Sequence, residues 1–382
     1  MDLDWSEEQL ELRAETVAFA RAKLNHDVEG DDRAGRFPTE KWNELASWGF
    51  FRLAVPEASG GAGLDPMTAL VVTEALGEGC RDGGLVFSAV VQAWVIIPVL
   101  LRFGTEQQKD RYLPGLMSGS TIGAFAMTES DSGSDAFAMR TRAERADDGG
   151  WVLHGSKTYT TNGPIAHLLV CFARSGTGGS LGGTSAFLVE TDQKGVVLGP
   201  PMETQGLRTA PIGEVALSDV RLSADAVLGR EGFGLGVFNE AMEWERSFAM
   251  APYVGMLAGQ LEEASRYARE RQAFGSRISG FQAVADTLVE MRLRLETARL
   301  LLYQAAWAKA NGKPALAQSA MAKLWVSECA VASSLDAIQV HGGYGYVSET
   351  GIERDLRNAV GARIHSGTSQ MQRIIIARSM KL

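Results

Sequence analysis

Apolar residues recur at helical spacing along the last part of the chain. Two series advance alternately by three and four residues: Leu288, Met291, Leu295, Ala298 and Leu302, then Ala317, Ala320, Leu324, Ser327 and Val331. Asn311–Pro314 separates them, with a glycine suited to end one helix and a proline suited to begin the next. Long amphipathic helices with short connections predict an antiparallel bundle over residues 233–382.

The middle of the chain, residues 121–232, has the shorter period of β-strands. Clusters of turn residues, such as Asp147–Gly150 and Ser175–Gly183, separate runs rich in strand formers. The runs are Thr121–Thr128, Met139–Ala146, Trp151–Thr160, His167–Arg174, Thr184–Thr191 and Glu214–Leu222. They predict a central antiparallel β domain, because strands and helices do not alternate as in a parallel βαβ fold.

Residues 1–120 have a helical pattern. Ser6–Gln9 and Thr105–Gln108 each match a capping box at a helix start. The longest apolar run, Leu85–Leu101, has 17 residues and is interrupted by two polar residues and a proline. It falls short of the roughly 20 residues that a membrane-spanning helix needs, so we expect a buried helix and no membrane association. The predicted fold class is therefore α+β, with a helical, a β and a second helical domain.

Composition excludes several classes of function. Lys and Arg number 37 against 46 Asp and Glu, a net charge of −9 that argues against nucleic-acid binding. The three cysteines and five histidines show no metal-ligand spacing, so we expect neither a metal site nor a disulfide framework. The acidic start, MDLDWSEEQL, has no apolar stretch, which predicts no signal peptide and a cytoplasmic location.

Four ordered segments carry a family resemblance. They are Ala126–Glu129 with Gly133–Asp135, Lys157–Asn162, Arg269–Gly275, and Gln339–Gly345 followed by Gly367–Arg373. In this order the chain resembles the acyl-CoA dehydrogenase family of flavoproteins over essentially its whole length. The resemblance implies an N-terminal helical domain, a central β domain and a C-terminal four-helix bundle. It also implies FAD, held between the β domain and the bundle, and usually a homotetramer.

The same resemblance implies three groups of FAD-binding residues. The isoalloxazine or the thioester-bearing arm would be lined by Met127, Thr128, Gly133, Ser134, Tyr159 and Thr161. The pyrophosphate and adenine of a neighbouring subunit would be reached by Arg271, Phe274 and Gln282, with Gln339 and Gly343 also approaching the pyrophosphate. Thr368 and Gln370 would complete the adenosine site. Taken singly, each could also be a helix cap, a turn glycine or a surface arginine.

The catalytic base is where the chain departs from the commonest family pattern. Dehydrogenation of a thioester needs a carboxylate to take the α-proton, while the β-hydrogen leaves as hydride to flavin N5. Most of the family carries a glutamate just before the Gly-Thr-Ser segment, where this chain has Ser366. A branch that includes isovaleryl-CoA dehydrogenases carries it on the first bundle helix, just before an arginine, and Glu245 matches that position. His365 is the second candidate base.

The substrate is expected to lie among residues on both sides of this base. The predicted substrate-binding residues are Ser134, Arg246, Ser366 and Gly367. Trp244–Arg246 together with Ser366–Thr368, and the stretch Gly77–Leu85, resemble the dehydrogenases of secondary metabolism that oxidise an acyl or prolyl group on a carrier protein. An acidic carrier would favour a basic patch, for which the C-terminal region offers Arg354, Arg357, Arg363 and Arg373.

The resemblance therefore implies FAD-dependent α,β-dehydrogenation of an acyl thioester, with Glu245 as the base. A short- or branched-chain acyl-CoA dehydrogenase of the isovaleryl type remains an alternative. A flavin-dependent monooxygenase or oxidase on the same fold is a second alternative, because Ser366 replaces the usual base. A binding protein without turnover is a third. Coenzyme A or a carrier protein as the thiol, and electron-transfer flavoprotein or oxygen as the electron acceptor, are open at this point.

Overall fold

The computed structural model describes residues 5–176 and 183–382. Residues 177–182, within the turn predicted at 175–183, lie outside the described part. The chain begins with helices: α1 (Glu7–Lys23), α2 (Val28–Ala34), α3 (Thr39–Trp48), α4 (Pro66–Gly79), α5 (Gly83–Val91), α6 (Ile97–Phe103) and α7 (Glu106–Ser118). Both predicted capping boxes form, at the start of α1 and at the start of α7.

A π-helical segment, Gln92–Ile96, joins α5 to α6 into one apolar unit. This unit, Gly83–Phe103, is long and apolar enough to cross a membrane by length and composition, but 83% of its most hydrophobic window is buried inside the protein. Its buried side chains pack in the same core as α4 and the later bundle helices. That packing is typical of a core helix, as the interrupted apolar run predicts.

The strands are β1 (Gly123–Ala126), β2 (Arg142–Arg145), β3 (Trp151–Thr161), β4 (Leu168–Arg174), β5 (Thr184–Glu190), β6 (Val196–Leu198), β7 (Ile212–Leu222) and β8 (Val227–Leu228). They form one sheet in the order β6-β7-β3-β2-β4-β5-β8, with β1 paired to β4. Most neighbours are antiparallel, but β1 runs parallel to β4, and β2 meets β4 in a parallel bridge. The expectation of a purely antiparallel sheet is corrected to a mixed one.

The central strands β4 and β5 bury both faces, which explains their unbroken apolar sequence. Val170, Phe172 and Leu188 face the large core shared with the helices. Their neighbours Cys171 and Phe187 face a second core inside the β domain. The sheet therefore has one face fixed against the helices.

The chain returns to helices after the sheet: α8 (Gly234–Ser247), α9 (Ala251–Glu270), α10 (Gln282–Ala310), α11 (Leu316–His341), α12 (Gly343–Tyr346), α13 (Ile352–Ala362) and α14 (Ser369–Ser379). A two-stranded hairpin, β9 (Gln272–Ala273) with β10 (Ser276–Arg277), separates α9 from α10. Helices α8 to α11 pack against one another as the predicted bundle, and α9 also packs on α4. The boundaries at 120/121 and 232/233 fall between elements and stay our proposal for the domain limits.

Candidate active site

Two of the three glutamates of helix α8, Glu243 and Glu245, have different surroundings. The side chain of Glu243 pairs with Lys309 of α10 at 3.0 Å. Glu245, two residues later, is turned away from that pair and is only 9% exposed. Two residues on an α-helix are about 200° apart, so one glutamate can form an outer ion pair while the other is buried.

The buried Glu245 meets the turn that precedes α14. Ser366 Oγ donates to Glu245 Oε1 at 2.6 Å. Ser366 has φ +58° and Gly367 has φ +86°, so two successive residues lie in the left-handed region. Side chains hold this turn by its carbonyl groups: Arg246 Nε donates to Ser366 O at 3.0 Å and Lys323 Nζ to Gly367 O at 2.7 Å.

Burial dominates the electrostatics of the carboxylate. Desolvation raises the pKa of Glu245, while the Ser366 hydrogen bond and the charges of Arg246 and Lys323 oppose that rise without cancelling it. Burial also lowers the pKa of Arg246, and lowers the pKa of Lys323 to about 8. A dry carboxylate whose pKa is raised is a better proton acceptor than a solvated one, as general-base catalysis requires.

His365 lies beside the same turn, and both of its ring nitrogens have partners. Nδ1 lies 2.8 Å from Ser366 Oγ, and Nε2 lies 3.1 Å from the hydroxyl of Tyr253 at the start of α9. Its ring packs against Phe87 with centroids 4.6 Å apart. Burial lowers the pKa of His365 to about 3, so the ring is neutral at physiological pH.

A buried ion pair organises the predicted flavin-side loop. Lys157 Nζ donates to Glu129 Oε1 at 2.8 Å and to the carbonyl of Met127 at 3.1 Å. Glu129 also accepts from the backbone amides of Arg140 and Thr141, so its carboxylate closes the loop that contains Gly133 and Ser134. Glu129 and Lys157 both lie in the family motifs, but the motifs alone assign them no role. Two charged residues just after or within predicted strands are the signal that could have suggested this pair.

Tyr159 and Thr161 lie at the end of β3, beside this loop. The backbone amide of Thr158 donates to the carbonyl of Thr128 at 2.8 Å and joins the two segments. Tyr159 has φ +51° and a side chain that is 68% exposed. The structure thus brings Met127 and Thr128, which follow β1, beside the last residues of β3, which include Tyr159 and Thr161.

The remaining predicted FAD residues lie elsewhere. Arg271 and Phe274 lie in the hairpin after α9 and Gln282 begins α10, while Gln339 and Gly343 lie where α11 ends. The ring of Tyr267 on α9 packs on His341 with centroids 4.5 Å apart, so the two regions share one end of the bundle. Phe274 is 97% exposed.

Thr368 lies in the turn before α14, and Gln370 lies in the first helical turn of α14. The Thr368 hydroxyl accepts from the amide of Met371 and caps this helix.

A cavity of about 250 Å³ lies between the first helices and α8, with Trp94 and Trp244 in its wall. Neither Glu245 nor Ser366 lines that cavity. We therefore assign the site from the carboxylate and its partners and not from this cavity.

A β domain between two helical regions is the arrangement of FAD-dependent dehydrogenases that act on acyl thioesters, and the first bundle helix is where the isovaleryl-type branch carries its carboxylate. The chain belongs to the acyl-CoA dehydrogenase family. The N-terminal domain model of that family matches residues 6–120, the middle domain model matches 124–220 and the C-terminal domain model matches 232–381. The resemblance stated from sequence motifs is confirmed.

Among similar proteins is an L-prolyl-(peptidyl-carrier protein) dehydrogenase from Serratia sp., 38% identical over 100% of this chain and 99% of its own. The crystal structure of the prolyl acyl carrier protein oxidase AnaB superposes with TM-score 0.97 and 40% identity, over 99% of this chain and 100% of that one. PigA with FAD and proline superposes with TM-score 0.96 and 37% identity, with full coverage of both chains.

The residues present fit FAD. Tyr159 and Phe274 expose aromatic faces to which flat rings can stack. A Cβ at Gly133 or Gly343 would meet nothing within 4 Å, so these backbones are open to close approach. Among the described residues, the buried hydroxyls of Ser132 and Thr160 have no hydrogen-bond partner. The Ser132 hydroxyl lies in the same loop as Gly133 and Ser134, where a polar, planar cofactor could supply its partner.

Proposed function

We propose that this protein catalyses FAD-dependent α,β-dehydrogenation of an acyl thioester, with Glu245 as the base that removes the α-proton. The observation that carries the proposal is the buried Glu245 carboxylate held 2.6 Å from Ser366 Oγ. Ser366 occupies the position where most of the family has its base, so the carboxylate lies next to that position from a different helix. We rank His365 second, because both of its ring nitrogens already have partners.

Bound FAD would supply the acceptor for the β-hydride. Met127, Thr128, Gly133, Ser134, Tyr159 and Thr161 would hold its ring, and Arg271, Phe274, Gln282, Gln339, Gly343, Thr368 and Gln370 would hold the dinucleotide, in part across a subunit boundary. Arg246, Ser366 and Gly367 would shape the floor of the substrate site with Ser134. Glu245 would take the α-proton on the oxygen that Ser366 does not occupy.

For the substrate we propose a prolyl or small acyl group on a carrier protein. The support is that the Serratia relative is named for a prolyl carrier-protein substrate. A bovine relative named short-chain specific acyl-CoA dehydrogenase, 36% identical over 96% of this chain and 88% of its own, keeps a short acyl-CoA as the second candidate. The predicted arginine patch gives little support for carrier docking, because Arg354 is buried and Arg357 pairs with Asp32 and Glu353.

The experiment compares prolyl and small acyl carrier-protein thioesters with matched short acyl-CoAs, under anaerobic conditions, on the FAD-loaded protein. We expect the carrier-bound substrate to bleach the flavin absorbance fastest. Glu245→Gln should lose at least two to four orders of magnitude in that rate, as for loss of a general base. Glu243→Gln, on the other side of the same helix, is the control and should keep it. Retained bleaching in Glu245→Gln would show that another group is the base.

The electron acceptor separates a dehydrogenase from an oxidase. AnaB is named an oxidase, which favours testing oxygen directly. If oxygen is the acceptor, we expect air to reoxidise the reduced flavin fast and to form hydrogen peroxide. If electron-transfer flavoprotein is the acceptor, we expect reoxidation by air to be slow. Oxygen inserted into the product would instead support the monooxygenase alternative. A homotetramer and a cytoplasmic location complete the proposal, and sedimentation of the loaded protein checks the first.

A further inference from the structure

Hydrogen bonds connect Glu245 through Ser366 and His365 to Tyr253 on α9. Ser366 Oγ lies 2.6 Å from Glu245 Oε1, His365 Nδ1 lies 2.8 Å from Ser366 Oγ, and the Tyr253 hydroxyl lies 3.1 Å from His365 Nε2. We infer that Tyr253, His365 and Ser366 form a chain of hydrogen bonds with one donor direction, called the row below, that positions Glu245. The row directs the Ser366 proton to Oε1 of Glu245 and leaves Oε2 to accept the substrate proton. The inference rests on the proposed role of Glu245.

Counting protons fixes that direction. A serine hydroxyl has one proton, and the ionised carboxylate can only accept, so Ser366 gives its proton to Glu245. Ser366 Oγ must then accept from His365 Nδ1–H. A neutral imidazole with a proton on Nδ1 has a bare Nε2, which accepts the phenolic proton of Tyr253. Each bond in the row therefore requires the next one.

The surroundings keep the row in this state. The His365 ring packs between Phe87 and Tyr253, with centroids 4.6 Å and 6.0 Å away, so it cannot turn freely. Ser366 is held in its left-handed conformation by bonds from Arg246 and Gln372 to its carbonyl oxygen. A row whose members are all satisfied and packed presents a fixed donor to the carboxylate.

The row also affects the pH at which Glu245 ionises. The charged or titratable groups that face Glu245 are Arg246 from its own helix, Lys323 from α11, Tyr253 from α9 and His365 from the turn. Ser366 is the only group among the described residues that donates a hydrogen bond to the Glu245 carboxylate. A hydrogen bond to the charged form favours that form, so the row offsets part of the cost of burying it.

The test is the pH profile of flavin reduction in the FAD-loaded protein. Ser366→Ala removes the donor, so the acidic limb should move to higher pH by about one pH unit. Tyr253→Phe leaves Ser366 in place but frees His365 to carry its proton on Nε2. Ser366 can then donate to Nδ1 in place of Glu245, and the limb should move the same way by a smaller amount. Tyr112→Phe, at a half-buried tyrosine on α7, is the matched control and should leave the limb in place.

A second readout needs no turnover. The infrared carboxylic-acid band of Glu245, identified by its loss in Glu245→Gln, should persist to higher pH in Ser366→Ala and in Tyr253→Phe. Unmoved profiles and bands in both variants, with reduction still abolished in Glu245→Gln, would overturn the row while leaving the base intact. Reduction that survives Glu245→Gln would instead overturn the proposed function.

Discussion

Lys323 Nζ donates to the carbonyl oxygen of Gly367 at 2.7 Å, and this bond fastens the turn before α14 to the long helix α11. Gln372 Nε2 donates to the same carbonyl, also at 2.7 Å. Burial lowers the pKa of Lys323 to about 8, so its charge beside Glu245 is lost under mildly alkaline conditions. The charge of this lysine beside Glu245 therefore depends on pH, while its hydrogen bond to the turn can form in either state.

Lys323→Met should change the pH dependence of stability. Between about pH 8 and the usual lysine pKa near 10.4, the unfolded chain binds a proton that the folded protein does not. Lys323 therefore contributes a rise in the free energy of unfolding with pH across that window. Urea titrations should show that Lys323→Met lacks this contribution, so its stability relative to the wild type falls as pH increases, while Lys381→Met, at an exposed control position, follows the wild type. The same pH dependence in all three proteins would contradict the assigned pKa.

Glu245→Gln should reveal the cost of burying the carboxylate. Because the pKa of Glu245 is raised, its folded form keeps a proton at pH values where the unfolded form has lost it. The stability present below the ordinary glutamate value of 4.5 is lost as pH rises through the folded pKa. Glutamine has no such proton, so Glu245→Gln should gain stability relative to the wild type over that interval. Thermal unfolding followed from pH 4 upward measures the difference, and a constant difference would count against burial as the cause.

The backbone at Ser366 predicts a contrast between two small substitutions. Its φ of +58° costs a non-glycine residue about 1 kcal/mol or more. Ser366→Ala and Ser366→Gly lose the same hydroxyl, but only glycine removes the left-handed strain. The free energy of unfolding of Ser366→Gly, measured by urea titration, should therefore exceed that of Ser366→Ala by about 1 kcal/mol. If alanine proves equally stable, the turn does not hold the conformation described here.

Much of the fold follows from local pattern, and the exceptions have identifiable causes. The six predicted strand runs all contain strands, since strand-forming residues gather in short runs between clusters of turn residues. Pattern does not carry the direction of a partner strand, so the parallel pairing of β1 with β4 escaped prediction. Strands β6 and β8 have three and two residues, too few to show a period.

The candidate site also has a part that sequence motifs predict and a part that only the folded chain brings together. Glu245 was predicted because a motif on one helix matched a branch of the family, and its contrast with Glu243 follows from helical geometry. The connection from Tyr253 through His365 to Ser366 spans 112 positions at its first bond and has no local signature. The packing of α9 against the turn before α14 brings the Tyr253 hydroxyl to the imidazole.

The ion pair between Lys157 and Glu129 provides a further prediction. Both side chains are buried, and the carboxylate also accepts two backbone amides. Lys157→Met would leave a buried charge without its partner, a change that costs about 3–5 kcal/mol. Adding Glu129→Gln to Lys157→Met should recover part of that loss, because the orphaned charge is then gone.

The same pair sets an acid limit. Burial alone would raise the pKa of Glu129, but the hydrogen bond and charge of Lys157, together with the hydrogen bonds from Thr141 and Arg140, outweigh it and leave the pKa lowered. Its contribution to stability is therefore present above the ordinary glutamate value and is lost as pH falls through the lowered folded value. Because the carboxylate closes the loop with Gly133 and Ser134, FAD retention should fall over the same acid range. Gel filtration with flavin fluorescence measures retention. FAD held equally well by Lys157→Met and the wild type would separate this loop from the cofactor.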